Sequence, residues 1–127
     1  MLNEELKDKL NELKVEDYIW VLYIVIIIAS WYSNHLERKY FLNNDYSSKE
    51  KYKKIMVLIF LTLFIVYFYF AKSSYDDIIK LKASDTNKKK ELTYLAFYAS
   101  FLILISGVIF LYIALMDENL DVELAFN

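Results

Sequence analysis

Residues 51–77 read KYKKIMVLIFLTLFIVYFYFAKSSYDD. Lysines crowd the start, Lys72 marks the far end, and the seventeen residues from 55 to 71 carry no charge. An uncharged apolar segment of this length is either the core helix of a soluble domain or a helix that crosses a bilayer. A helix that rests one side on a soluble core keeps charge on its other face. This segment is apolar all round. The same segregation recurs, with no charge from 18 to 33 or from 92 to 116. The chain has 127 residues, of which 57% are apolar, 18% aromatic and 25% charged. A single domain of that size has no interior able to enclose three such helices. The sequence therefore predicts an all-α integral membrane protein with three transmembrane helices.

The three spans differ in length. Residues 92–116 easily cross a hydrocarbon core of roughly 30 Å. Residues 55–71 are at the short end of the spanning range, and the flanking Lys53, Lys54 and Lys72 extend them by snorkelling. The first uncharged run recruits Asn34, His35 and Leu36, giving a span over 18–36. Trp20 and Trp31 lie near its two ends, where amphipathic rings anchor a helix at the headgroups. An antiparallel hairpin of the second and third spans brings Tyr67, Tyr69, Tyr94 and Tyr98 to one interface as further anchors. The first run is not expected to be a cleaved signal. Residues 1–17 hold six acids against three lysines, the wrong sign for the basic start of a signal peptide.

The segments between the spans also read as helical, because the chain has no proline and one glycine. Residues 1–17 form an amphipathic helix, with Asn3 as N-cap and Leu6, Leu10 and Leu13 on one face below Leu2. It lies on the membrane surface, packs on a partner, or extends the first span into water. Residues 37–54 are a polar, basic connection. Asn43, Asn44 and Asp45 supply its turn, and Ser47 with Glu50 forms a capping box for the second helix. That helix continues past the membrane to about residue 82, making a long hairpin with the third. The connection 72–91 then turns, with Ser84, Asp85 or Asn87 as the next cap. Residues 117–127 form an acidic tail. Leu120, Val122 and Leu124 alternate with Asp121 and Glu123, with Phe126 beyond. That alternation suits an extended strand added to a partner's sheet, or a solvated tail.

Most chemistry is excluded by what the chain lacks. There is no cysteine, hence no thiolate metal site and no disulfide. The single histidine, His35, sits at the end of the first span as an interfacial polar group. One glycine makes no phosphate-binding loop. The acids Asp76, Asp77, Asp117, Glu118, Asp121 and Glu123 lack the spacing of a calcium loop. Lys88, Lys89 and Lys90 precede a span and meet lipid headgroups rather than nucleic acid. No ionisable residue interrupts a span, so no proton or ion path is marked. No catalytic residue, cofactor, metal or small-molecule substrate is expected.

One pattern inside the membrane stands out. Thr93, Ser100, Gly107 and Ala114 recur every seven residues along the third span, with Ala96 one turn before Ser100. A stripe of small residues lets another helix approach closely. Phe60, Phe64, Tyr67 or Phe68 of the second span can fill it, or a second copy of the chain can. The expected partners are thus the bilayer, a copy of itself or another membrane protein. Function is expected to be that of a small structural or interaction subunit. The alternative is a membrane-permeabilising protein of the holin kind, which the acidic tail argues against, because holins commonly end in a basic one. Nine lysines lie in 1–17 and 72–91, and six basic residues in 37–54 with none in the tail. The excess places the N-terminus in the cytoplasm and the C-terminus outside.

Overall fold

The computed structural model describes residues 3–124. Asn3 opens the first helix: its backbone is extended and its side chain accepts from the Leu6 amide at 2.7 Å. Glu4 and Glu5 follow in the first turn, where negative charge complements the helix dipole. With no proline or glycine to interrupt it, α1 runs unbroken over Glu4–Asn43, 40 residues or about 60 Å. The amphipathic segment, the first uncharged run and the start of the connection are therefore one helix. Asn44 ends it in the left-handed conformation at φ 53°, which asparagine tolerates better than most residues.

The second helix, α2, spans Tyr46–Ile79. Its N-cap is Asp45, two residues before the expected Ser47. The Asp45 carboxylate accepts from the Ser48 hydroxyl at 2.8 Å and from the Ser48 amide at 3.4 Å. The nearer and stronger acceptor starts the helix at once, and most of 37–54 is helical as a result. α2 stops at Ile79 rather than 82. Asp85 accepts from the Lys82 amide at 2.8 Å and pairs with Lys89 at 3.2 Å, which fixes the turn. The cap of the third helix is Thr86, accepting from the Lys89 amide at 3.1 Å, in place of Ser84, Asp85 or Asn87. This helix, α3, spans Asn87–Met116. Among the described residues there is no strand.

The helices form a row with α2 in the middle. α1 packs on α2 and α2 on α3, whereas α1 and α3 do not pack on each other. The core consequently follows α2, through Tyr52, Met56, Ile59, Phe60, Leu63 and Val66. α3 has only Gly107 and Ala114 buried, and the rest of its girth is wholly or partly exposed. Two helices, α2 and α3, are long and apolar enough to cross a membrane. α1 is not one of them, so length and hydropathy do not carry the expected count of three. Tyr18, Trp20, Tyr23, Ser30, Trp31, Tyr32 and Ser33 dilute its uncharged run.

The tail departs most from expectation. It is neither a free strand nor solvated throughout. The Asp117 carboxylate accepts from the Asp121 and Val122 amides at 3.0 and 2.8 Å, curling the chain back. Leu120 turns the backbone at φ 57°. Leu124 is buried in the cluster that contains Leu36, Tyr52 and Ala114. Leu2 and Phe126, assigned above to the N-terminal stripe and the tail, lie outside the described residues.

Candidate functional site

The seam between α2 and α3 is built around the one glycine. A Cβ at Gly107 would lie 2.9 Å from Cδ2 and 3.2 Å from Cε2 of Tyr67. Only a residue without a side chain lets that ring lie so close to the α3 backbone. Seven residues further along α2 and seven back along α3 the register repeats with polar partners. There the Ser74 and Ser100 hydroxyl oxygens are 3.1 Å apart. Toward the other end, Phe60 stacks on Phe110 with centroids 5.6 Å apart and planes at 22°. Ala114 is buried in the same cluster as Phe60.

The five small residues are thus placed unequally. Ser100, Gly107 and Ala114 line the seam. The Thr93 hydroxyl instead donates to the Lys89 carbonyl of its own helix at 2.7 Å, and Ala96 is exposed. Where they stand, Tyr75 of α2 meets Phe97 of α3 at 5.9 Å. The sequence stripe passed over Phe97 and Phe110. Aromatic residues outnumber seam positions in this chain, so spacing alone does not single them out. Of the candidate fillers, Phe60 is buried and Tyr67 lies under Gly107, while Phe64 is half-buried beside an exposed Phe68.

The aromatic anchors also divide. Trp31 is 77% exposed and Trp20, which meets Tyr23 edge-on at 5.7 Å, is exposed as well. Tyr94 and Tyr98 face outward. Tyr69 is half-buried beside Phe70, and Tyr67 is turned into the seam rather than toward the headgroups.

Polar groups gather at the two ends of the row. At the tail end, Glu37 of α1 shares a side-chain hydrogen bond with Tyr52 of α2. Burial raises the Glu37 pKa and the Glu123 carboxylate adds to the rise, against the lowering effect of that bond. Burial also raises the Tyr52 hydroxyl, helped by the charges of Glu37 and Asp117. Burial pushes Asp117 up, but amide bonds from Val122, Asp121 and Asn119 outweigh it and hold the carboxyl below its ordinary value. Nearby, the Lys49 ammonium sits 5.2 Å from the Tyr40 ring and 6.0 Å from that of Tyr46, within cation–π range. At the opposite end, Glu4, Glu5, Asp8, Lys9 and Glu12 of α1 share an open groove with Asp77, Lys80 and Lys82.

Among the described residues, no three acidic or histidine side chains come together in a way that holds a metal ion. His35 stands exposed beside Tyr32, ring centroids 6.4 Å apart. The chain matches no protein-family model, no curated protein and no solved structure. What the site offers chemically is close helix packing, with charge confined to its ends.

Proposed function

We propose that the chain is a three-span membrane protein acting as a structural or interaction subunit without catalytic activity. The observation that carries this is the outward face of all three helices. Ile24 and Ile28 of α1, Leu58 and Ile65 of α2, and Leu102 and Ile109 of α3 are each more than half exposed. A row of helices with apolar side chains turned outward suits lipid, and in water it would exceed the apolar patches that soluble monomers tolerate. The helices satisfy their own backbone polar groups, as a bilayer demands. On this proposal α1 crosses over 18–36 despite its polar aromatics, which serve as belts near its ends. The N-terminus and the α2–α3 turn lie in the cytoplasm, and the α1–α2 turn and the tail lie outside.

The chain has no cysteine, so single introduced thiols report topology. Lys7→Cys, Ser47→Cys and Ser84→Cys all fall at exposed positions. In intact cells a membrane-impermeant thiol reagent is expected to label position 47 and neither of the others. Labelling of 7 and 47 together would leave α1 outside the bilayer, and labelling of 47 and 84 together would do the same for α2. A membrane-potential dye separates the subunit from a holin-like pore. Unchanged potential on expression is expected, and prompt depolarisation would refute the subunit.

A further inference from the structure

The first four turns of α1 are amphipathic but face the opposite way from an ordinary surface helix. Such a helix rests its apolar stripe on the protein and turns its charges to water. Here the acids Glu4, Glu5, Asp8 and Glu12 border the groove toward Lys80 and Lys82. Asp8, Glu12 and Val15 approach Tyr69 of α2 in the adjoining cleft. Leu6, Leu10 and Leu13 take the other side, at 42%, 47% and 43% exposed. Glu12 and Glu16 are more covered than any of these leucines. The charged face lies along the groove that Lys80 and Lys82 also line, and the leucine face is left open.

Lipid is not what covers it. α1 is continuous from Glu4 to Asn43, so this stretch does not fold down onto a membrane surface. With a span beginning at Tyr18, Leu6 stands about 18 Å beyond it. The spacing of four and then three is that of a coiled-coil seam. Lys7, Lys9 and Lys14 occupy the positions bordering that seam, Lys9 also lining the groove. A second copy fits poorly. Its own spans would hold it parallel, which sets Lys9 of each copy against Lys14 of the other and brings the two Asp17 side chains together at the seam.

We infer that the outer face of residues 6–14 docks an amphipathic helix of another protein whose apolar seam is bordered by acidic residues. This rests on the membrane-subunit proposal, because the span fixes how far the leucines stand from lipid and why a second copy must be parallel. Apolar contact supplies the attraction, and the lysines select the partner by charge.

The test uses the full chain in nanodiscs and two fluorescent synthetic helices. Both carry leucine at the seam positions, one with glutamate and the other with lysine beside them. The glutamate peptide is expected to bind several-fold more tightly by fluorescence anisotropy. Leu10→Ser should weaken it by about tenfold, as expected for removing one buried leucine. Lys7→Glu combined with Lys14→Glu should reverse the preference. Equal binding of both peptides, binding of neither, or a cross-linked dimer of the chain that Leu10→Ser abolishes would each overturn the docking surface. Alkaline extraction of the same membranes keeps the two proposals apart. A chain released by alkali refutes the membrane subunit, whereas an inserted chain that does not discriminate between peptides refutes only the docking surface.

Discussion

The two seams of α2 are held by different means. Against α3 the contact is mainly one of shape, where the Tyr67 ring lies on Gly107, Phe110 stacks on Phe60 and the Ser74 and Ser100 hydroxyls meet. Its charged residues stand at its ends, Asp77 of α2 with Lys88 and Lys89 of α3 at the turn. Against α1 the buried residues are Ile19, Ile26 and Leu36 together with two serines, Ser30 and Ser33. That seam ends in the pairing of Glu37 with Tyr52 and in the folded tail. Close packing gains dispersion contacts, which on the membrane proposal lipid matches less well. Carboxylates at a seam's end respond to protons. The α2–α3 contact should therefore be sensitive to side-chain size and indifferent to pH, and the α1–α2 contact should show pH dependence at its outer end.

The largest effect is expected at Gly107. Gly107→Leu forces α3 away from Tyr67 and should destabilise the detergent-solubilised protein by about 3 kcal/mol, in the range of severe overpacking. Gly107→Ala adds a single Cβ at 2.9 Å from the Tyr67 ring. The ring can shift, so about 1 kcal/mol is expected. Val108→Leu, on the outer face, is the control and should leave the melting temperature unchanged. If Gly107→Leu melts with the control, shape does not hold this seam.

A smaller effect is expected at Glu37, where the α1–α2 seam ends. Burial and the Glu123 charge raise its pKa in the folded protein from the ordinary 4.5. The folded state then holds the proton more tightly than the unfolded chain. Stability from this linkage is fully present below 4.5 and is lost as the pH rises through the raised value. Acidification from neutrality should accordingly raise the melting temperature of wild type relative to Glu37→Gln, which does not titrate. Glu123→Gln should narrow the window by removing one cause of the shift. A difference between wild type and Glu37→Gln that stays constant from neutral pH down to 4.5 would break the contrast between the seams.

The sequence showed α3 and the middle of α2 plainly, because long uncharged runs bounded by lysine leave few alternatives. Ser100, Gly107 and Ala114, which line the seam, stood out by their spacing of seven. Helix ends were less legible. Asn44, Asp45, Ser47, Thr86 and Asn87 are all competent caps, and which one wins depends on the turn geometry that each neighbour permits. The continuity of α1 was one of three readings left open by its change from charged to apolar at Asp17. A change in side-chain polarity gives a helix no reason to stop there. The tail was legible least of all. Its fold needs the Asp117 carboxylate to meet two amides and Leu124 to find a site beside Leu36 and Tyr52. The first is an irregular local turn and the second a long-range contact, and neither leaves a periodicity in the sequence. The groove along the charged face of α1 likewise includes Lys80 and Lys82, far away along the chain.

The finest comparison sets one serine from each seam side by side. The Ser100 hydroxyl meets that of Ser74 at 3.1 Å, so Ser100→Ala removes an interhelical hydrogen bond. On the membrane proposal such a bond contributes about 0.6 kcal/mol on average, and a loss of that size is expected. The double replacement with Ser74→Ala should cost little more than either single one, because both remove the same bond. Ser30, buried against α2, has a hydroxyl oxygen with no hydrogen-bond partner. Ser30→Ala gives up no bond and takes away a buried polar atom, whose cost when unpaired is about 1–3 kcal/mol in water-soluble proteins. Much of that cost is absent here, because a helical serine can rotate to bond a carbonyl one turn back, as Ser33 does with Ala29 at 2.9 Å. The expected change for Ser30→Ala is therefore between nothing and a slight gain. Melting curves of the three variants in one detergent decide the matter. A loss at Ser30→Ala equal to that at Ser100→Ala would show that α1 is held to α2 by a serine bond of its own, and would make the two seams more alike than their geometry indicates.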